Sequence, residues 1–510
     1  MMQHKEIKHP YQGIKYTVLV VIAAFRVANA LTTKTFFQPD EYWQSLEPAH
    51  RLAYGYGYLT WEWHEGLRSS LPPLVGAGIY KALQLLGLDD PRIVRIAPKI
   101  VMALFASAGD VYTWKLSARL QGPAEAPWAL FVSLLSAFNW FFLTRTFSNS
   151  AEMVLTAVAL NYWSFNGKEV NFKRLSVALF IGAISCVLRP TNAILWAVLG
   201  LHLVLTTTAK MRVLWLAVRN VALVFAATYY IDYLYYGEPV FPLLNFLKFN
   251  LLQSLAHFYG TSPTLYYFYE ALPLLTVGWL PLTLWGLWIN RSQVLVKAAL
   301  AVVVAFSLIR HKEVRFIYPL VPILHMAAAE AITQTPKKLR KWLVWSLALV
   351  NILVAGYFSQ VHQRGVVDVV EYLSTEPQVT SVGFLMPCHS TPYQSHLHRD
   401  IPVWFLTCEP PIGFTAEEQM TYRDQADQFY DDPLQFVQTQ FPESVAVSAR
   451  EARTPLFHPS HLAIFESLEK KSPEVIEHLV ELGYKRGKTF FNSHFHDDWR
   501  REGDVVVYNL

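Results

Sequence analysis

Apolar residues gather in runs that reach, or nearly reach, the length needed to cross a bilayer as helix. They lie at about 14–32, 97–117, 126–143, 150–166, 175–188, 191–208, 213–231, 271–289, 294–309, 315–332 and 342–359. Several fall short of the roughly 20 residues of a straight span, and 175–188 is the weakest. A further run, 71–87, is ambiguous, and basic residues on the connections resolve it. Lys5, Lys8 and Lys15 lie in the N-terminal stretch. Lys168, Lys173 and Arg174, then Lys210 and Arg212, then Lys337-Lys338-Leu339-Arg340-Lys341 occupy later connections. If 71–87 crossed, the Lys168 and Lys210 connections would face away from the N-terminus. If it lies in the interface, every basic connection shares the N-terminal side. About eleven spans result, with the N-terminus cytosolic and the C-terminus on the opposite face.

Topology then gathers the polar clusters. Residues 33–96, 145–149, 189–192, 232–270, 311–315 and the tail 360–510 all share the non-cytosolic face. The sequon Asn290-Arg291-Ser292 falls on the cytosolic side and is expected to stay unglycosylated. The chain divides into a membrane domain over 1–359, with 33–96 as its first outer loop, and a tail domain over 360–510. The tail carries more charge and proline. Val379–Leu385 and Asp504–Asn509 read as strands and Ser472–Leu482 as helix, giving a small α+β domain. Its Cys388 and Cys408 are either paired or free, because spacing alone does not set the Cα distance.

Composition agrees. Of 510 residues, 53% are hydrophobic and only 16% charged, where soluble domains are about a quarter charged. The 16 Trp and 26 Tyr suit headgroup depth. A net charge of +4, without a basic repeat, argues against nucleic acid. Three cysteines cannot build a disulfide framework or a cysteine-rich zinc site. The first run, Tyr16 to Leu31, is interrupted by Arg26 and lacks a small-residue cleavage site, so it reads as a retained span.

Chemistry concentrates at few places. Asp40 and Glu41 follow the first run, after Pro39, which ends any preceding helix. A carboxylate there suits a base that removes a hydroxyl proton, or a simple helix cap. His311-Lys312-Glu313-Val314-Arg315 lies between two late runs. As a helix it would put His311 and Arg315 one turn apart, able to stabilise charge on a leaving phosphate. Arg145 and Arg189 each end a span on that side. Either can hold a phosphate or pair with a carboxylate, Glu152 being a candidate. The stretch Tyr54–Arg68 alternates glycine, aromatic and polar residues and suits interfacial helices over a lipid-facing cavity. Tyr42, Trp43, Trp61, Trp63 and His64 are the acceptor or interface candidates. His389, His396, His398, His494 and His496 have no zinc-type spacing, and no metal site is expected.

His311-Lys312-Glu313-x-Arg315-Phe316, Asp40-Glu41-Tyr42-Trp43 and Arg145-Thr146-Phe147-Ser148-Asn149 resemble family 22 glycosyltransferases. These are polytopic α-helical membrane proteins of the GT-C class that use dolichyl phosphate mannose in the endoplasmic reticulum. The resemblance covers about 16 to 360. In the tail, Leu385–Tyr393, Phe405-Leu406-Thr407-Cys408 and Phe491–Trp499 are similar to the members that add the third mannose to the glycosylphosphatidylinositol (GPI) precursor. The resemblance implies α-1,2 transfer with inversion, from dolichyl phosphate mannose to the two-mannose GPI glycolipid, on the luminal face and without metal or other cofactor. It implies Asp40 as base, with Glu41 its neighbour or substitute, and His311, Lys312, Arg315 and Arg145 or Arg189 on the donor phosphate. A family member extending lipid-linked oligosaccharide is the nearest alternative. A lipid transporter or scramblase would show matched repeats, and none is evident.

Overall fold

A computed structural model describes residues 15–249, 260–441 and 456–510. Its N-terminal two-thirds is a helical assembly and its tail a five-stranded sheet covered on both faces.

Among the described residues, Lys210–Tyr236, Tyr267–Ile289, Val314–Gln334 and Lys337–Thr375 are helical and apolar over a length that can cross a membrane. Tyr16–Thr32, Pro190–Thr206 and Val294–Ser307 are shorter apolar helices. Several expected spans are interrupted, so the runs do not translate into eleven continuous helices. The run 126–143 is two helices, Ala126–Leu134 and Ala137–Phe142, because the Ser136 hydroxyl accepts from the Asn139 N–H and starts a new one. The run 271–289 breaks at Val277, whose φ of 45° is left-handed. The run 97–117 grows into Pro91–Leu120, begun by Asp90, which caps the Arg92 N–H. The ambiguous run is the helix Leu71–Leu85, packed on Glu47–Tyr54.

Val321–Gln334 is the central post. It is buried almost throughout, and its alanines let neighbours approach closely. Gly286 of the helix Leu280–Ile289 lies so near that a Cβ there would overlap the Ala327 carbonyl. A buried ion pair ties in the first helix. Arg26 of the first helix binds Asp110 at 2.6 and 2.8 Å, both fully buried, and Ser133 donates to the same carboxylate.

The tail sheet has the order β2-β1-β3-β5-β4, with β1 Val382–Phe384, β2 Val403–Phe405, β3 His461–Phe465, β4 Lys485–Phe490 and β5 Val505–Asn509. The first three strands are parallel, and β5 runs antiparallel to β3 and β4. The expected strands and the expected helix, here Pro473–Glu481, are all present. One face of the sheet packs under tail helices. The other presents Phe384, Val403 and Val507 to Phe36, Trp43 and Ala77 of the outer loop, in one core with the helix Gly365–Thr375. The sheet therefore carries part of the loop that holds Asp40. Glu47 strengthens this seam: its carboxylate accepts from the Tyr393 N–H at 3.0 Å and the Ser395 hydroxyl at 2.5 Å, where Gln394–Leu397 begins.

Candidate active site

The segment from Thr33 to Gln38 is tied to the end of the helix Lys337–Gln360. Lys34 N–H donates to the Ser359 carbonyl at 2.9 Å, and Phe36 N–H to Gln363 at 3.0 Å. After Pro39 the chain turns into helix, and Tyr42–Leu46 is a π-helical turn. Asp40 and Glu41 thus leave the first turn in different directions, with opposite consequences.

Glu41 is buried and its Oε2 accepts from Arg145 Nη1 at 2.8 Å. Arg145 also donates to the Phe141 and Thr35 carbonyls and the Thr35 hydroxyl. The expected roles of Glu41 as substitute base and Arg145 as phosphate ligand do not fit this pair: both are consumed in fixing the loop. Glu152, the other partner considered for Arg145, instead accepts from Asn149 and Asn192.

Asp40 is 21% exposed. Its Oδ2 accepts from Arg315 Nη1 at 2.6 Å, with Arg189 Nη2 at 4.0 Å. Arg315 is clamped by Glu313 through two parallel bonds of 2.6 and 2.8 Å, a fork that fixes the guanidinium plane. His311 Nε2 lies 3.2 Å from the same Glu313 and its Nδ1 3.1 Å from the Gly260 carbonyl. Burial alone would raise the Glu313 pKa, but Arg315 and His311 overcome it and hold the carboxyl well below the usual carboxylate range. The bond to Glu313 outweighs burial for His311 and raises its pKa.

His311 and Arg315 are not one turn apart on a helix: residues 311–313 are irregular, and Val314–Leu320 is a 3₁₀ helix. Glu313, between them in sequence, joins them in space. Lys312 points away from Glu313 and donates to the Ser262 carbonyl at 3.0 Å.

Arg189 is pinned by Nε to the Ser148 hydroxyl at 2.8 Å, and its buried Nη2 makes no hydrogen bond. Arg68 completes the cluster. It is bonded to Glu62 at 2.5 Å and lies within electrostatic range of Asp40, Arg315 and Arg189. Arg68, Glu62 and Glu313 were not among the candidates read from sequence. Arg68 was visible only as the one arginine closing the Tyr54–Arg68 stretch.

The aromatic candidates serve mainly as walls. Tyr42 is buried and stacks on Phe36 at 5.4 Å. Trp63 is buried and donates from Nε1 to the Trp43 carbonyl at 3.2 Å. Trp61 packs on Phe249, and His64 is exposed. Trp43 meets a residue from the tail: the His389 ring lies 4.5 Å away. Burial pushes His389 down to about 4, against the attraction of Asp40. His389 follows Cys388, which is disulfide-bonded to Cys408, so the pairing left open by the sequence is made and ties the loop after β1 to the loop after β2. Cys388, His389 and Cys408 are the one group with metal-ligand proximity among the described residues, and its two sulfurs are spent in the disulfide.

A partly exposed carboxylate thus faces three guanidiniums, two braced by glutamates and one with a free donor. This arrangement can accept a proton and hold a phosphate side by side.

The chain as a whole is similar to known proteins. The model of the Alg9-like mannosyltransferase family matches residues 17–398. "GPI mannosyltransferase 3" of Debaryomyces hansenii is 41% identical over 97% of this chain and 92% of its own, and that of Candida albicans 40% over 97% and 98%. "GPI alpha-1,2-mannosyltransferase 3" of Mus musculus is 36% identical over 98% and 91%. Among solved structures, ArnT from Cupriavidus metallidurans bound to undecaprenyl phosphate superposes with a TM-score of 0.59 over 97% of this chain and 98% of that one. At 12% identity that likeness is one of fold, the GT-C fold.

Proposed function

The chain belongs to the Alg9-like mannosyltransferase family, and from that premise we propose that it adds the third mannose of the GPI precursor, in α-1,2 linkage, from dolichyl phosphate mannose on the luminal face of the endoplasmic reticulum. It is a mannosyltransferase whose donor and acceptor are membrane glycolipids. The GPI reading rests on relatives so named that align over nearly the whole chain, the tail included.

The observation that carries the chemistry is Asp40 beside Arg315 and Arg189. In the proposed reaction the acceptor 2-hydroxyl oxygen attacks the anomeric carbon while Asp40 takes the hydroxyl proton. The carbon–oxygen bond to phosphate breaks, and dolichyl phosphate leaves with the bonding pair. Inversion follows from this single displacement. Arg189 Nη2, which makes no hydrogen bond, and Arg315, oriented by Glu313, would receive the growing phosphate charge, with Arg68 adding field from the side. Donors already aimed at developing charge lower the barrier without reorganising. Guanidiniums can supply what a divalent cation would, so we propose that transfer needs no metal.

The test is transfer by purified chain in detergent with dolichyl phosphate mannose, a two-mannose GPI acceptor and EDTA, with a lipid-linked oligosaccharide acceptor in parallel. A three-mannose GPI product is expected. Extension of the oligosaccharide alone would overturn the acceptor while keeping the family chemistry, and loss of the GPI product on adding EDTA would overturn metal independence.

A further inference from the structure

The tail segment Phe491-Asn492-Ser493-His494-Phe495-His496 has no part in the site described above. It is strapped to the outer end of the last span, Lys337–Gln360. Arg364 N–H donates to the Asn492 carbonyl at 3.1 Å, and the Ser493 hydroxyl pairs with His362 Nδ1 at 2.9 Å. Gly365, where the next helix begins, lies directly beneath: a Cβ there would come within 2.9 Å of the Phe490 and Phe491 carbonyls. The strap therefore sits at the level where the chain leaves the membrane.

The side chains show which way it faces. On the last span, Val350, Leu353 and Tyr357 follow at intervals of three and four residues and so share one face. Val350 and Leu353 are exposed, Leu353 at 64%, which makes this a lipid-facing stripe of a membrane helix. Tyr357, at the outer end of the stripe, stacks on Phe495 at 6.2 Å with rings 11° apart, and its hydroxyl bonds His494 Nδ1 at 3.1 Å. Phe495 is still 56% exposed after that contact, and Phe491, packed on the His494 ring, is 43% exposed. Two exposed phenylalanines thus prolong a lipid-facing stripe, interleaved with polar imidazole and hydroxyl groups. Apolar rings with polar neighbours favour the headgroup–acyl boundary over either water or hydrocarbon.

We propose that Phe491–His496 is a membrane-contact surface of the tail domain, with Phe491 and Phe495 inserted at the headgroup–acyl boundary of the outer leaflet beside the last span. The tail is then fixed at two places: at the site, through Glu47 and Trp43, and at the bilayer, through this strap.

The test uses the full chain in phosphatidylcholine vesicles, with Cys186→Ser removing the free cysteine. A nitroxide is attached at Phe495→Cys and, in a separate protein, at Phe491→Cys. Leu353→Cys serves as lipid reference and Glu481→Cys, on an exposed tail position, as aqueous reference. Relaxation of each label by oxygen is compared with relaxation by a water-soluble nickel chelate. Expected at 495 and 491 is a loss of nickel relaxation relative to Glu481, placing the ratio nearer that of Leu353. Ratios matching Glu481 would overturn the proposal. If one variant does not fold, the other reads the same quantity.

Discussion

Asp40 and Glu41 are adjacent in sequence and opposite in fate. Burial against Arg145 makes Glu41 a structural anion, while partial exposure leaves Asp40 open to a substrate hydroxyl. Asp40→Asn is therefore expected to reduce transfer by about 10²–10⁴-fold, the usual worth of a general base, with an unchanged melting temperature. Glu41→Ala leaves a buried guanidinium without its anion, which costs about 3–5 kcal/mol, and should show first as lost thermal stability in detergent. Wild-type turnover by the Asp40 variant would remove it as the base. Glu313→Gln tests the clamp: Arg315 keeps its charge but loses its bidentate anion, so the KM for dolichyl phosphate mannose is expected to rise more than that for the acceptor. Equal rises would reduce Glu313 to a structural role.

At the scale of elements, hydrophobic runs located the helices but not their breaks. Ser136 and Val277 divide stretches whose hydropathy is continuous, because a cap or a left-handed residue acts through one backbone angle that a run of apolar side chains does not record. The basic cluster shows the same limit. Its residue types are legible, yet its geometry comes from a 3₁₀ start and an intervening glutamate, which the spacing of His311 and Arg315 does not reveal. The disulfide closes a sequence separation of 20 residues, for which loop-closure entropy gives about 3 kcal/mol. The double variant Cys388→Ser/Cys408→Ser is expected to lose about that much stability. Because His389 follows Cys388 and packs on Trp43, its ring contact should loosen too, visible as faster proteolysis of the 386–409 segment under native conditions.

For the whole molecule, the seam between the outer loop and the tail sheet is the part that pH can reach. Burial first, then the neighbouring His398, holds His50 down at about 3, and burial holds His389 at about 4. Both start from an ordinary value of 6.5. Below that value the unfolded chain binds protons that the folded seam refuses, so this contribution is fully present above about 6.5 and is lost as pH falls toward 4. Glu47 in the same seam, raised by burial to about 7, works in the opposite direction, so the test is a difference: between pH 7.5 and 5 the melting temperature should fall more in wild type than in His50→Asn. An identical slope in wild type and variant would remove His50 from the account.

Sequence by itself determined the membrane class, the α+β tail and part of the polar cluster, Asp40, Arg189, His311 and Arg315. Periodicity, loop charge and local chemistry are properties of neighbouring residues, and a chain displays them without folding. Tertiary structure alone decided the partners. That Arg145 takes Glu41 while Arg315 takes Asp40, that Arg68 joins the cluster, and that His389 reaches Trp43 across more than three hundred residues all depend on distances between segments far apart in sequence. Burial then settles the matter: an ion enclosed in a packed interior must be paired, and which partner it finds, structural or catalytic, is fixed only when the helices and the tail sheet close around it.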